Sequence, residues 1–441
     1  MRSLISSLIL MSMISAQAYA QLSDDFKNSW VAKTLALQRQ IDVNVPMNQA
    51  TFIGTHNSEN SVAYQIPFVR YVDPNQQISI YDQLEMGVRS IEFDVHWYTG
   101  TKFSKDVLLC HGLSNHLGCS VFDRPVVEGL EELRNWLQTN PNEVVFLYFD
   151  RALDGHEPRL AFYLNNYVGN YIFRPASVRA STQQPASCVE FPTTLSKADI
   201  LKAGKQLIIV TKGCDVDAYQ EQDRFPIFWN DVVFAGIGES KGANPYRILD
   251  SSYDDDFKDY PLCAKQTVFV DDPQHKNIWR IFEDRTVLSS MGKPTRKLYS
   301  NDIKDLMRCD VNWPTMDMLT INDERLAANI WSWAPNYPMQ NQGECAVYKN
   351  GEGIENVPCT STTVSGFVCQ NKQSLEFQVV PYVGHWEEGE KVCQASAGID
   401  WHFATPINGG QMYSLKEKVH NLPEIWLNYR LNAKGVWDAN F

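Results

Sequence analysis

The chain has 441 residues, 44% of them hydrophobic and 21% charged, with a formal net charge of −13 at pH 7. That length holds one large domain and a smaller one, and the acidic balance excludes nucleic-acid binding and nonspecific adhesion to anionic lipid. Ten cysteines without C-x-x-C spacing argue against a cysteine zinc site and for up to five disulfides in an oxidising compartment.

Residues 1–20 carry Arg2 as their only charge, then an apolar stretch from Leu4 to Ile14, and close on Ala18-Tyr19-Ala20. This is the layout of a secretory signal, too short to span a bilayer, so the mature protein is expected to be secreted, extracellular or periplasmic. Between residues 21 and 50 an amphipathic helix carries Trp30, Leu35 and Leu37. Strands and helices then alternate. "QATFIG" reads as a strand ending at His56, and a helical "IYDQLEMG" leads to the strand "SIEFDVHW". "DVLLCHG" reads as the third strand. In "VVEGLEELRNWLQTNPN", Val126, Leu130, Leu133 and Leu137 fall on one helical face. "EVVFLYFD" is an apolar strand ending at Asp150, followed by the helical "RLAFYLNNYVGNYIF". Segment 176–190 reads as a surface excursion and "DSSYDDDFKDY" as a solvated loop. "QLIIVTKG", "NIWRIFEDR" and "PTMDMLT" are later strands. This alternation predicts a parallel sheet with helical crossovers, of a length that suits a (β/α) barrel.

In a barrel the reacting groups sit where strands end, because the βα loops form the open face. The strands end on His56 and Asn57, on Glu92, Asp94 and His96 at alternate positions, on His111, on Asp150 and on Lys212. Glu92, Asp94 and Asp150 with the Asn57 carbonyl make a hard-oxygen set suited to Ca²⁺ or Mg²⁺. Without a cation, three converging carboxylates would repel one another and one would take up a proton. Two histidines and a lysine beside such a set suit phosphodiester cleavage. His96 reads as a satisfied polar residue.

The ordered motifs "GTHNS", "QLEMGVRSIEFDVHW", "LLCHG" and "EVVFLYFD" resemble the X region of phosphatidylinositol-specific phospholipases C, a TIM-barrel family. The resemblance covers about residues 46–325 and fits the metal-dependent branch, since Asn57 stands where the metal-independent branch has Asp. It implies His56 and His111 as the catalytic pair, and Asn57, Glu92, Asp94 and Asp150 as ligands of Ca²⁺. Lys212 would contact the substrate phosphate. The implied reaction is attack of an inositol hydroxyl on phosphorus at a membrane surface, with Glu92 taking the proton and His111 protonating the leaving glycerol oxygen. Asp150 departs from the Glu of the animal enzymes.

From about residue 326 the chain changes character, with Trp331, Trp333, Trp386, Trp401, Trp426 and Trp437 among four cysteines. "WSWAPNYPMQNQGECAVY" and "GFVCQ" resemble the second half of a C-type lectin-like domain, and "HWEEGEKVCQASAG" with "EIWLNY" its first half, as if circularly permuted. That resemblance implies an α+β module with Cys345 paired to Cys359 and Cys369 to Cys393, and a glycan or a protein as its ligand. A Cys110–Cys119 pair would stiffen the loop after His111. The expected domains are therefore a signal peptide at 1–20, a barrel at 21–325 and a lectin-like module at 326–441. Two other readings stay open. One is a sphingomyelinase D- or glycerophosphodiesterase-like enzyme, for which Trp97, Tyr98 and Trp229 offer a choline cage, whereas Arg151 would suit inositol. The other is a non-catalytic adhesin.

Overall fold

The computed structural model describes residues 25–66, 71, 73–179, 188–214, 219–238, 247–253, 276–287, 297–349, 351–419 and 422–439. The predicted signal peptide, most of the 176–190 excursion and the acidic run beyond Tyr253 lie outside these residues. Among the described residues no helix is long and apolar enough to cross a membrane.

The first sheet contains β1 (Gly54–Thr55), β2 (Ser90–Thr99), β3 (Lys105–Leu109), β4 (Arg124–Pro125), β5 (Val145–Ala152) and β6 (Leu207–Thr211). It continues with β7 (Phe234–Ala235), β8 (Ile237–Gly238), β9 (Ile248–Ser252), β10 (Ile278–Phe282) and β11 (Trp313–Met316). Its order is β7-β6-β5-β2-β1-β11-β10-β9-β8, parallel throughout. Only Gly236 separates β7 from β8, at φ +114°, where a side chain would strain the backbone. Its carbonyl accepts from the Arg247 and Ile248 amides at 2.9 and 2.8 Å. Counted as one bent strand, β7 and β8 close a ring of eight parallel strands, the TIM-type barrel expected from the alternation.

"DVLLCHG" is not a barrel strand. β3 runs antiparallel to the outer half of β2, with Val95 opposite Leu109 and Thr99 opposite Lys105, and β4 pairs with β3. Since β2 overshoots the ring, this hairpin stands on the rim and returns His111 to it.

Period-two alternation sorts each strand into an outer and an inner row. Outward, Ile91, Phe93, Leu147, Phe149 and Ile209 pack in one buried cluster with Val126, Leu130, Leu133 and Leu137 of helix Val126–Thr139. They share it with Leu160 and Leu164 of helix Glu157–Val168. Inward, the lower layer is apolar: Phe52, Phe146, Ile208, Phe234, Ile278 and Trp313 form a second cluster, with Phe52 and Phe146 edge to face at 5.1 Å. One step up the same inner rows stand the ionisable groups. Gly54 lies between these layers because nothing larger fits: a Cβ there would come 2.5 Å from Thr315 Oγ1. Gly54→Ala is expected to lower stability by about 1–3 kcal/mol, the range for an overpacked core, read from the urea midpoint.

A second sheet holds β12 (Cys345–Lys349), β13 (Gly353–Val357), β14 (Gly366–Asn371), β15 (Phe377–Pro381), β16 (Trp401–Phe403), β17 (Glu424–Leu431) and β18 (Trp437–Asp438). The order is β13-β12-β17-β14-β15, with β16 on β14 and β18 on β17. Disulfides join Cys345–Cys359 and Cys369–Cys393, the pairing that the lectin-like resemblance implies, and Cys110–Cys119. Cys188–Cys214 is a pair the sequence did not suggest. Trp333, Trp386, Trp426 and Trp437 are buried. The first helix, Trp30–Ile41, is capped by the Ser29 side chain accepting from the Ala32 amide. It ties the two sheets: buried Gln38 donates to the Asn329 carbonyl at 2.9 Å and accepts from the Trp331 amide and the Ser332 hydroxyl at 2.9 and 3.1 Å.

Candidate active site

The site sits at the carboxyl ends of the barrel strands. His56 follows β1 and is buried, and Asn57 takes a left-handed backbone at φ +42°, which turns the chain sharply across the barrel mouth. The His56 ring stacks on Phe282 with centroids 4.7 Å apart. Its Nδ1 lies 3.4 Å from Oδ1 of Asp317, which directly follows β11, the neighbour of β1. Asp317 is fully buried, and its Oδ2 accepts from the Arg285 amide at 2.7 Å and Asn75 Nδ2 at 3.0 Å. Burial alone would lower the His56 pKa, but the carboxylates of Glu92, Asp317 and Asp284 outweigh it and raise it to about 9. His56 is therefore a cation at neutral pH.

His111 stands beside it in the opposite state. Burial and the His56 charge push its pKa down, against the pull of Asp284, Asp317 and Asp73. Its Nδ1 is 3.0 Å from Asn60 Nδ2. Asn60 Nδ2 also donates to Asn75 Oδ1 at 2.7 Å, as does Asn57 Nδ2 at 3.2 Å. Asn75 Oδ1 and the Asp73 carbonyl, 3.0 Å away, can only accept, so Asn60 presents its N–H side, its two hydrogens are shared among three acceptors, and His111 Nδ1 is one of them. The neutral ring then carries its proton on Nε2. One amide, Asn75, thus links the Asp317–His56 pair to the Asn60–His111 pair.

The carboxylates divide into neutralised and bare ones. Glu92 Oε2 is ion-paired with Nη2 of Arg280, which is 2% exposed. Arg280 Nη1 holds Asp250 Oδ1 at 2.6 Å. Asp250 is accordingly a buried strand residue in β9, not part of the solvated loop expected from its acidic neighbours. Asp150 Oδ2 pairs with Lys212 Nζ at 2.9 Å on the exposed rim. Asp94 Oδ1 is buried with no hydrogen-bond partner, and burial followed by Glu59, Glu92 and Asp150 raises its pKa well above the usual range. Glu59, in the loop after His56, is wholly buried with both carboxylate oxygens unpartnered.

The structure brings His56, Asn57, Glu92, Asp94, His111, Asp150 and Lys212 to one end of the barrel, but not into one ligand shell. Among the described residues, the oxygens of Glu92, Asp94 and Asp150 do not all gather within 4.8 Å; those of Asp284 and Asp317 do so with His56. A second such grouping, His96 with Cys110 and Cys119, has its sulfurs locked in a disulfide. His96 is satisfied as expected, with Nδ1 3.0 Å from His116 Nδ1. The aromatic cage does not form: Trp229 is fully buried against Phe149, and Trp97 is stacked on His156 at 3.8 Å. Arg151 is engaged by Glu157 and the Gly213 carbonyl.

The family model described as the Rv2075c PI-PLC-like domain matches residues 13–323 of this chain. The chain belongs to that family. Within it, an uncharacterized protein of Mycobacterium tuberculosis is 28% identical over 344 residues, covering 74% of this chain and 65% of that protein. The chain thus spans just under two thirds of that relative's length. A PI-PLC X domain-containing protein of Arthroderma benhamiae is 27% identical over 242 residues, covering 53% of this chain and 67% of that one. Among solved structures, the phosphatidylinositol-specific phospholipase C from Listeria monocytogenes superposes with a TM-score of 0.39 at 13% identity, covering 66% of this chain and 97% of that one.

Family membership was legible in the motif order. Asp317, Asn75, Asn60, Glu59 and Arg280 were not picked out. For Asp317 the signal was present, since "PTMD" ends a strand on an acid just as "EVVFLYFD" does.

Proposed function

We propose that this chain is a secreted phosphodiesterase of the phospholipase C type, acting on a phosphoinositide or closely related lipid at a membrane surface. The observation that carries the reading is the pair of linked histidines, one cationic and one neutral, above a ring of carboxylates at the open end of the barrel. The His56 cation, oriented by Asp317 and by Phe282, offsets charge developing on the phosphoryl oxygens. Glu92, whose Oε2 is taken by Arg280, keeps Oε1 to receive the proton of the attacking hydroxyl. His111 Nε2 faces the leaving glycerol oxygen. An arriving phosphate anion offsets the His56 charge that holds His111 neutral, so His111 takes up a proton from water and, as the imidazolium, passes its Nε2 proton to that oxygen, returning to the neutral ring. Lys212 on the rim meets the phosphate.

A divalent cation fits this donor set, since the groups are hard oxygens and the buried Asp94 Oδ1 has no partner. Asn57, Glu92, Asp94 and Asp150 would hold Ca²⁺ or Mg²⁺, which would supply charge neutralisation of the phosphoryl group. Residues 21–325 form the proposed catalytic unit. Residues 326–441 form a proposed lectin-like module, supported by its disulfide pairing, with a glycan or a protein as its ligand.

The test is hydrolysis of a headgroup panel by purified protein with Ca²⁺, Mg²⁺ or chelator. Release of inositol phosphate, lost in His111→Ala, is the expected result. Turnover confined to choline lipids would reassign the head group, and no turnover of any phosphodiester would defeat the enzymatic reading. Asn60→Asp gives His111 Nδ1 an acceptor in place of a donor. The alkaline limit of His111 titration, followed by NMR, is expected to rise by about one unit or more, the size of a neighbouring-charge effect.

A further inference from the structure

The ring of groups at the barrel mouth is unbalanced. Glu59, Glu92, Asp94, Asp150 and Asp250 face only Arg280 and Lys212 as side-chain ion-pair partners. Arg280 serves Glu92 and Asp250, and Lys212 serves Asp150. Glu59 and Asp94 form no direct ion pair among the described residues, with the His56 and Lys212 charges acting on them only at longer range, yet Glu59 is 0% exposed and Asp94 8%. No side chain hydrogen-bonds to either Glu59 oxygen, with only the Glu59 and Asp94 backbone amides nearby, and Asp94 Oδ1 has no partner. The two carboxylates repel each other. An uncompensated carboxylate in such a place costs several kcal/mol, so buried acids of this kind are paired, protonated or bound to a metal.

We propose that Glu59, together with Asp94, is the principal anchor of a divalent-cation site for a hard ion such as Ca²⁺ or Mg²⁺. This deepens the phosphodiesterase reading and rests on it for its biological purpose. The motif pattern points to Asn57, Glu92, Asp94 and Asp150, but two of those carboxylates already have protein cations. Glu59 sits two residues beyond Asn57, on the same sharp turn, and carries two oxygens that no side chain engages. Calcium takes six to eight oxygen ligands, so neutral oxygens and water complete the shell.

The experiment is isothermal titration of Ca²⁺, then Mg²⁺, into chelator-treated full chain, without substrate. Wild type, Glu59→Gln and Asp150→Asn are compared. Wild type is expected to bind one ion, Glu59→Gln to lose at least tenfold in affinity, and Asp150→Asn to lose less. Thermal melting gives a second readout: Ca²⁺ raises the wild-type Tm by binding the folded state. Apo Glu59→Gln melts at or above apo wild type, with a smaller rise at the same Ca²⁺ concentration. If Glu59→Gln fails to fold, Glu59→Asp takes its place, with weakened binding expected. Unchanged affinity in the Glu59 variant, or no ion bound by wild type, overturns the proposal. Intact, Glu59-dependent binding without any lipid turnover would instead sink the phosphodiesterase reading and leave the cation site standing.

Discussion

Replacing Arg280 by Met is expected to lower the unfolding free energy by about 3–5 kcal/mol, the penalty for removing one partner of a buried ion pair. Arg280 holds two acids at once, Glu92 and Asp250, and its guanidinium lies 4.9 Å from the Phe282 ring centroid and 5.4 Å from that of Tyr148. Methionine fills the stem but leaves both carboxylates in a low-dielectric core. Asp250 already has its pKa raised by burial, with Arg280 the largest opposing influence. Without that influence the folded-state pKa rises further above the unfolded value. An acid raised in this way is more stable folded while protonated, and loses that advantage as pH climbs. The Met deficit should therefore be small near pH 4 and grow toward pH 8. Urea unfolding at the two pH values measures it, and a deficit independent of pH would contradict the account. Arg280→Lys should fall between, because an ammonium cannot span both carboxylates as the planar fork does.

Loss of His111 should cost activity without comparable loss of stability, whereas loss of His56 should cost both, because it leaves the buried Asp317 carboxylate without its cation. His56→Ala and His111→Ala are each expected to lower kcat by about 10²–10⁴-fold, the usual contribution of a positioned acid–base group, with KM little changed. Their pH signatures should differ. His56 is protonated until about pH 9 in the folded protein against an ordinary value of 6.5. A raised histidine pKa contributes stability that is complete below the unfolded value and fades as pH rises through the folded one. Activity that needs the His56 cation should decline over the same upper window. His56→Gln should remove that decline, while Asp317→Asn should move it to lower pH by deleting one of the carboxylates that hold the proton. A profile whose alkaline limb is untouched by Asp317→Asn would rule out the His56 assignment.

The parts of the molecule that obey a short period were readable in the chain. Alternation in "SIEFDVHW" put Glu92 and Asp94 on the inner row, and the helical spacing of Val126, Leu130, Leu133 and Leu137 placed a barrel-covering face. The same alternation misled at "DVLLCHG", because side-chain period carries no information on strand direction, and β3 is antiparallel. Asp250 was lost among acidic neighbours, although the inner row of β9 places it opposite Arg280. Arg280 itself carried a clue, a cation on the inner row between Ile278 and Phe282. Glu59, Asn60 and Asn75 lie in a loop with no period at all. The roles of Asn60 and Asn75 come from hydrogen bonds across 15 to 18 residues and more, and that of Glu59 from its burial, which only the folded chain displays.

The buried amide of Gln38 adds a question of timing. Its partner Ser332 lies 294 residues further along the chain. At a synthesis rate of about 5–20 residues per second, that donor emerges roughly 15–60 s after the helix that needs it. Through this interval the first helix cannot complete its own buried bonds. The barrel's opening segment must then remain open to water, or be held by a factor in the cell, until the start of the second sheet arrives to seal it.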